Sequence, residues 1–213
     1  MSFFNISKLG RSKSKKNQQK PLFVAQPFIS ATLVNGSLKK IVELPRYVDQ
    51  NEWLAVNTFD FFNYINQFYG VIADFCTTKD CPVMSAGPNY EYTWTDNQKK
   101  NVKFAAPKYV DFVMTRIQNL LNDESVFPTK SAPGCEFPKD FINILRSIYK
   151  QLFRILAHIY WSHYDKILHL SCEGHLNTLF AHFICFAREF DLLDKKELAP
   201  MSDLIAELEY QMK

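Results

Sequence analysis

Glycine is scarce in this 213-residue sequence, with six, and there are only five cysteines and five histidines. The glycines form no P-loop and no glycine-rich dinucleotide turn, and no G-x-S-x-G occurs, so the catalytic classes built on those motifs are excluded. No apolar run approaches the roughly 18 residues that a bilayer-spanning helix requires. The first residues lack the apolar core of a secretory signal, and position 2 is serine rather than the glycine that myristoylation needs. The thiols are therefore expected in a reducing compartment, where closely spaced cysteines more often bind metal or stay free than pair. Acid is absent from residues 1–42, which carry eight Lys/Arg, whereas the rest holds 17 basic and 22 acidic side chains. A leader of charge +8 thus precedes a globule of charge −5. An acidic globule argues against nucleic acid as the main partner, because neutralising phosphates needs a basic face, and it suits a basic polypeptide better.

Hydrophobic residues make up 47% of the chain and aromatics 15%, led by 19 Phe and 10 Tyr, which is enough for one sizeable core. Residues 1–20 are Lys-rich and aperiodic, and read as a disordered basic leader; residues 21–213 read as one domain. PLFVAQPF and SATLVNGSLKKIVELP are expected to be extended, since Pro21, Pro27 and Pro45 oppose helix. From Asn51, a plausible N-cap, about 25 Pro-free residues place Trp53, Val56, Phe61, Ile65, Phe68 and Ile72 at near-helical spacing. YEYTWTDNQKKNVKF reads as a hairpin, with Tyr90, Tyr92 and Trp94 alternating before a turn at Asp96 and Asn97. Further helices are expected from Pro107 (with Tyr109, Val113, Ile117 and Leu120 on one face), from Pro138 to Tyr164, from Cys172 to Phe190 and from Pro200 to Met212. The fold class expected is all-α, a helical bundle with one small β-hairpin and no internal repeat.

CTTKDCP, from Cys76 to Pro82, places two cysteines at the end of the first long helix. They could be a redox pair, two buried small residues or half of a metal site. The C-x4-C spacing and the missing βαβ context speak against redox chemistry. A structural zinc site needs four N/S ligands, and the nearest histidine pair is His158 and His163 in AHIYWSH. On a straight helix, positions i and i+5 point about 140° apart and are separated by about 7.5 Å along the axis. That pair therefore requires the helix to bend, end or bulge between them. On spacing alone, the metal site and the two buried cysteines stay equally open. Cys135, Cys172 and Cys185 have no partner nearby in sequence and read as packing residues.

NEWLAVNTFDFFNYINQFYG, FCTTKDCPVMSAGPNYEYTW, APKYVDF, DESVFPTK, FRILAHIYWSH, HLNTLFAHFICFAREF and ELAP occur in order over residues 40–213. Together they resemble the Mob family of kinase coactivators. The opening MSFFN and AQPFISATLVNGSLKKIVELPRYVD are most similar to its fungal subclass, which partners NDR-type kinases in polarity and morphogenesis signalling. The resemblance implies a Mob-type bundle with a structural zinc held by Cys76, Cys81, His158 and His163, and a helix that distorts or ends between the histidines. It implies no enzyme activity and no small-molecule substrate. Its partner would be the basic N-terminal regulatory extension of an NDR/LATS-type AGC serine/threonine kinase, docked on Glu52, Trp53, Val56, Asp60 and His182. Glu52, Val56 and Asp60 share one helical stripe and could pair with arginines. The alternative for Glu52 is compensation of the helix dipole, and for Trp53 core packing.

The LATS-binding branch has acids where this chain has Arg46, Tyr47 and Val48, and a polar residue in place of Tyr64, which implies a different kinase preference. That branch also binds phosphothreonine peptides through three cations, for which this chain offers Lys150, Gln151 and Arg154. The alternative function is thus a phosphopeptide-binding adaptor that recruits upstream kinases; the simpler reading of Lys150 and Arg154 is a solvated helix face. The localisation implied is cytoplasmic, extending to the cell cortex, sites of polarised growth and the nucleus.

Overall fold

A computed structural model describes residues 20–212, apart from Asn35, Asp96, Asn97, Lys99 and Ser131. The basic leader and the expected hairpin turn at Asp96 and Asn97 lie outside the described residues. The structure is all-α with one small antiparallel hairpin, and no described helix is long and apolar enough to cross a membrane.

Its axis is α4, Phe141–His169. Leu152, Phe153 and Ile155–Tyr160 are all buried, so the middle of this helix is apolar nearly all round, as a central helix must be. Around it pack α2 (Gln50–Ile72), α3 (Ala106–Leu121) and α5 (Glu173–Glu189). The cap of α2 lies two residues earlier than expected: Asp49, not Asn51, is the N-cap, and its carboxylate accepts from the backbone N–H of Asn51 (2.8 Å) and Glu52 (3.2 Å). Its buried face carries Leu54, Thr58, Phe61, Phe62, Ile65 and Ile72. Val56 is 58% exposed, so its near-helical spacing does not make it a core position.

The segment expected to be extended is instead wound. Residues Leu22–Val24 and Phe28–Ser30 form 3₁₀ turns, and Lys39–Val42 forms one α-helical turn, α1. Each 3₁₀ turn begins directly after a proline (Pro21, Pro27), where a missing N–H costs nothing. Phe23 drives its ring edge-on against Tyr160, Trp161 and Tyr164. Buried Asn177 ties the same strap to α5, donating to the carbonyls of Phe28 (2.8 Å) and Ala31 (3.0 Å) while accepting from the Tyr160 hydroxyl (2.8 Å).

The hairpin is shorter than its alternating aromatics suggested, with β1 (Trp94–Thr95) facing β2 (Asn101–Val102). Tyr90 and Tyr92 precede it in a loop whose turn contains Gly87 at φ +69°; a Cβ there would lie 2.9 Å from the Trp161 indole, so this turn requires glycine. α4 starts three residues after Pro138 and continues five beyond Tyr164. The expected C-terminal helix is preceded by α6 (Lys195–Leu198) and a 3₁₀ turn (Ala199–Met201), and α7 runs Ser202–Met212.

Candidate metal centre and docking face

Cys76 follows the 3₁₀ turn Ala73–Phe75 that ends α2, and Cys81 closes the next loop. That loop is held by Thr77, whose hydroxyl accepts from the backbone N–H of Asp80 (3.1 Å) and donates to its carboxylate (2.6 Å). The Cys76 Sγ lies 3.5 Å from His158 Nε2, and the Cys81 Sγ lies 3.5 Å from His163 Nε2. All four residues are buried, and their donor atoms fall within 4.8 Å of one another. Metal–sulfur bonds of about 2.3 Å and metal–nitrogen bonds of about 2.0–2.1 Å in a tetrahedron give S···N edges near 3.5 Å. The spacing fits a four-coordinate ion.

The protonation chemistry fits as well. Burial, and then the neighbouring His158, push the His163 imidazole down to about 4; burial likewise lowers His158. Both rings are therefore neutral and offer a lone pair. His158 Nδ1 sits 2.8 Å from the Ser85 carbonyl, to which it donates, leaving Nε2 free to ligate. Burial raises both thiols, Cys81 up to about 12 with Cys76 adding to it. Two thiolates at this depth need a cation beside them.

The helix between the histidines neither bends out of α-form nor ends: α4 continues unbroken to His169. This corrects the expectation of a distorted or terminating helix. The objection from i, i+5 geometry applies to Cα positions, whereas the ligating Nε2 is the far atom of a long side chain. The two rings tilt together to 5.1 Å between centroids and converge without help from the backbone.

The expected docking residues divide into three groups. Glu52, Val56 and Asp60 are exposed on one stripe of α2, and among the described residues no salt bridge involves either acid. Trp53 sits at the edge of that stripe, half-buried against the core, with its indole N–H donating to the Val42 carbonyl (3.2 Å); it locks α1 to α2. His182 reaches α2 from α5, its ring edge-on to Phe61 at 4.9 Å and its Nε2 shielded from solvent with no hydrogen-bond partner among the described residues. Glu52 and Val56 line one wall of an open groove of about 810 Å³. The opposite wall, which sequence reasoning missed, comes from the loop after α3 and includes Pro128, Lys130, Pro133, Cys135 and Phe137. Its signal was the density of prolines in SVFPTKSAPGCEFP.

Lys150 is exposed, as a solvated helix face would have it, but Arg154 is largely buried. Glu197, from α6, binds both: Arg154 Nε at 2.6 Å and Lys150 Nζ at 3.0 Å. Arg154 also donates to the Tyr109 hydroxyl (3.2 Å) and stacks over Tyr92 at 4.7 Å. Burial alone would lower its affinity for the proton, but Glu197 and Tyr109 more than reverse that. Gln151 accepts from Arg116 Nη1 (2.8 Å). Of the three cysteines read as packing residues, Cys185 is buried, Cys172 packs at the core margin, and Cys135 departs from that reading by lining the groove.

Comparison with known proteins places this geometry. A family model described as the Mob1/phocein family matches residues 30–201. The chain is 51% identical, over 97% of its length and 84% of the relative's, to the maintenance of ploidy protein mob2 of Schizosaccharomyces pombe. It is 54% identical to the MOB kinase activator-like 1 homolog A of Dictyostelium discoideum, over 92% of this chain and 93% of that one. It is 47% identical to the CBK1 kinase activator protein MOB2 of Saccharomyces cerevisiae, over 93% of this chain and 69% of that protein.

Proposed function

The chain belongs to the Mob1/phocein family, and from that premise we propose that it is a non-catalytic coactivator of an NDR/LATS-type AGC kinase in cell polarity and morphogenesis signalling. It grips the basic N-terminal regulatory extension of the kinase and orders it against the kinase lobe. The observation that carries this is the groove at the start of α2, where the Glu52 carboxylate, in no salt bridge among the described residues, and the exposed Val56 face a proline-rich loop that includes Lys130. Arginines of a basic helix would supply the missing counter-charge, and Val56 and Phe137 an apolar seat. The kinase-activator names of the relatives support the same reading.

The metal is proposed to be zinc, chosen by two thiolates and two imidazoles in a tetrahedron. Cys76, Cys81, His158 and His163 would hold it. With four protein ligands, no position remains for an activated water, so its part is structural. The adaptor alternative is weakened by Glu197, which already occupies both cations a phosphate would need.

The test is affinity for a purified NDR-kinase N-terminal fragment. Glu52→Lys and Asp60→Lys should each weaken it at least about tenfold, in the range of a lost charge pair, and bound fragment should protect the half-exposed Cys135 from alkylation. Unchanged affinity in both variants would refute the docking assignment.

A further inference from the structure

Residues 1–42 carry eight Lys/Arg and no acid, and none of them lines the groove at the start of α2. The leader MSFFNISKLGRSKSKKNQQK sets Phe3, Phe4, Ile6 and Leu9 ahead of and among its cations. Segments that merely stay solvated are poor in aromatics. Two adjacent phenylalanines beside a run of lysines call for an apolar phase as well as a negative one.

The described structure carries the same composition onward. The N-terminal strap is an outer layer of the bundle. Phe23 is buried against Tyr160, Trp161 and Tyr164 of α4, and Asn177 of α5 holds the carbonyls of Phe28 and Ala31. The Leu33 N–H donates to the Thr178 hydroxyl (2.9 Å), and α1 continues the layer along α5. With its inner side taken by these contacts, the strap leaves Leu22 (54%), Leu33 (58%) and Ile41 (49%) exposed, together with Lys20, Lys39 and Lys40. Among the described residues no salt bridge involves these three lysines.

We propose that the leader and the outer side of the strap bind anionic phospholipid bilayers. The cations meet the negative headgroups, and Phe3, Phe4, Ile6 and Leu9 enter the boundary between headgroups and acyl chains. Charge sets the orientation: a negative bilayer attracts the +8 segment and repels the remaining residues, which carry −5. The strap therefore faces the lipid. The groove at the start of α2 shares no residue with it, so lipid binding does not consume that groove. Nucleic acid is the weaker fit. All the cations but Arg11 are lysines, which lack the planar fork that stacks on bases and grips phosphate bidentately, and Ile6, Leu9, Leu33 and Ile41 offer no stacking surface.

The experiment sediments the full chain with vesicles of phosphatidylcholine alone and with vesicles containing about one-third phosphatidylserine, in about 0.1 M salt. Binding should require phosphatidylserine and be lost in about 1 M salt, where the screening length falls from about 10 Å to about 3 Å. Replacing Lys13, Lys15 and Lys16 together by Ala should weaken binding about a hundredfold, at about fivefold per cation. Phe3→Ala with Phe4→Ala should weaken it at least about tenfold. Lys39→Gln with Lys40→Gln should weaken it about twentyfold at an unchanged melting temperature, since both side chains are exposed. Equal sedimentation with the two kinds of vesicle, or none with either, would refute the proposal. Full binding by the Lys39/Lys40 variant would show that the strap does not face the bilayer, and the shared surface would be wrong. Retention of a single-stranded RNA without vesicle binding, unchanged by Phe3→Ala with Phe4→Ala, would assign the cations to nucleic acid and overturn it.

Discussion

Glu197 was invisible as a functional residue in the sequence, yet its removal should be among the most damaging single changes in the domain. Its carboxylate is 11% exposed and binds an Arg154 side chain that is 17% exposed. Glu197→Ala leaves that guanidinium with the Tyr109 hydroxyl and the Tyr92 face, neither of which carries counter-charge. Breaking a fully buried pair costs about 3–5 kcal/mol; with part of each group wet and Lys150 half-exposed, about 2–3 kcal/mol is expected. For a domain of this size each kcal/mol moves the melting temperature by about 2–4 °C, so the shift should be about 4–12 °C. Scanning calorimetry reads it directly. Arg154→Ala should lose a similar amount, and the double variant should lose much less than the sum, since the second substitution removes the charge that the first left unpaired. Losses below about 0.5 kcal/mol, or strict additivity, would mean that the pair is a solvated surface contact and that the clamp argument is wrong.

Two further outcomes are expected. Metal analysis should find one zinc per chain and a sharp loss in Cys76→Ser; with zinc at a thousandfold excess over its dissociation constant, chelation should remove about 4 kcal/mol of stability, and a protein equally stable with and without chelator would rule out a structural ion. Burial holds the His182 imidazole below its ordinary value against the opposing pull of Asp60, so the folded ring resists a proton that the unfolded chain accepts. That contribution is whole above the unfolded value of about 6.5 and declines as pH falls towards the depressed folded value; His182→Gln should flatten that part of the urea-midpoint difference between about pH 7.5 and 5.5, and parallel curves for variant and parent would count against it.

Long periodic segments were legible because burial imposes their period: Tyr109, Val113 and Ile117 line the inner face of α3 just where the spacing put them. The four candidate ligands were legible only as a set, since C-x4-C and two histidines become a cluster through a convergence that spacing alone contradicted. What misled was reasoning from Cα geometry about side chains as long as imidazole. The N-terminal strap was misread for a different reason. Proline opposes a helix interior but not a first turn, and Pro21 and Pro27 each start a 3₁₀ turn. The Arg154–Glu197 clamp was out of reach, because it depends on a contact between segments with no local signature, whereas the loop wall of the groove left only its prolines as a sign.

The two sites are mechanically one. α2 presents its outer stripe to solvent, so a partner pulling on it must be resisted from behind and from the ends. Behind it lies α4, and α2's inner residues from Leu54 to Ile72 are buried. At the front end, Asp49 caps the first turn and the Trp53 indole holds α1. At the rear, Cys76 lies four residues beyond Ile72 and joins α4 through the candidate metal site. Without the ion, the rear end would rely on two neutral thiols, whose ionisation burial opposes. Docking on α2 should therefore weaken when the metal is removed, although the ligands lie beyond the far end of that helix, and affinity for the kinase fragment measured with and without chelator reads the loss directly.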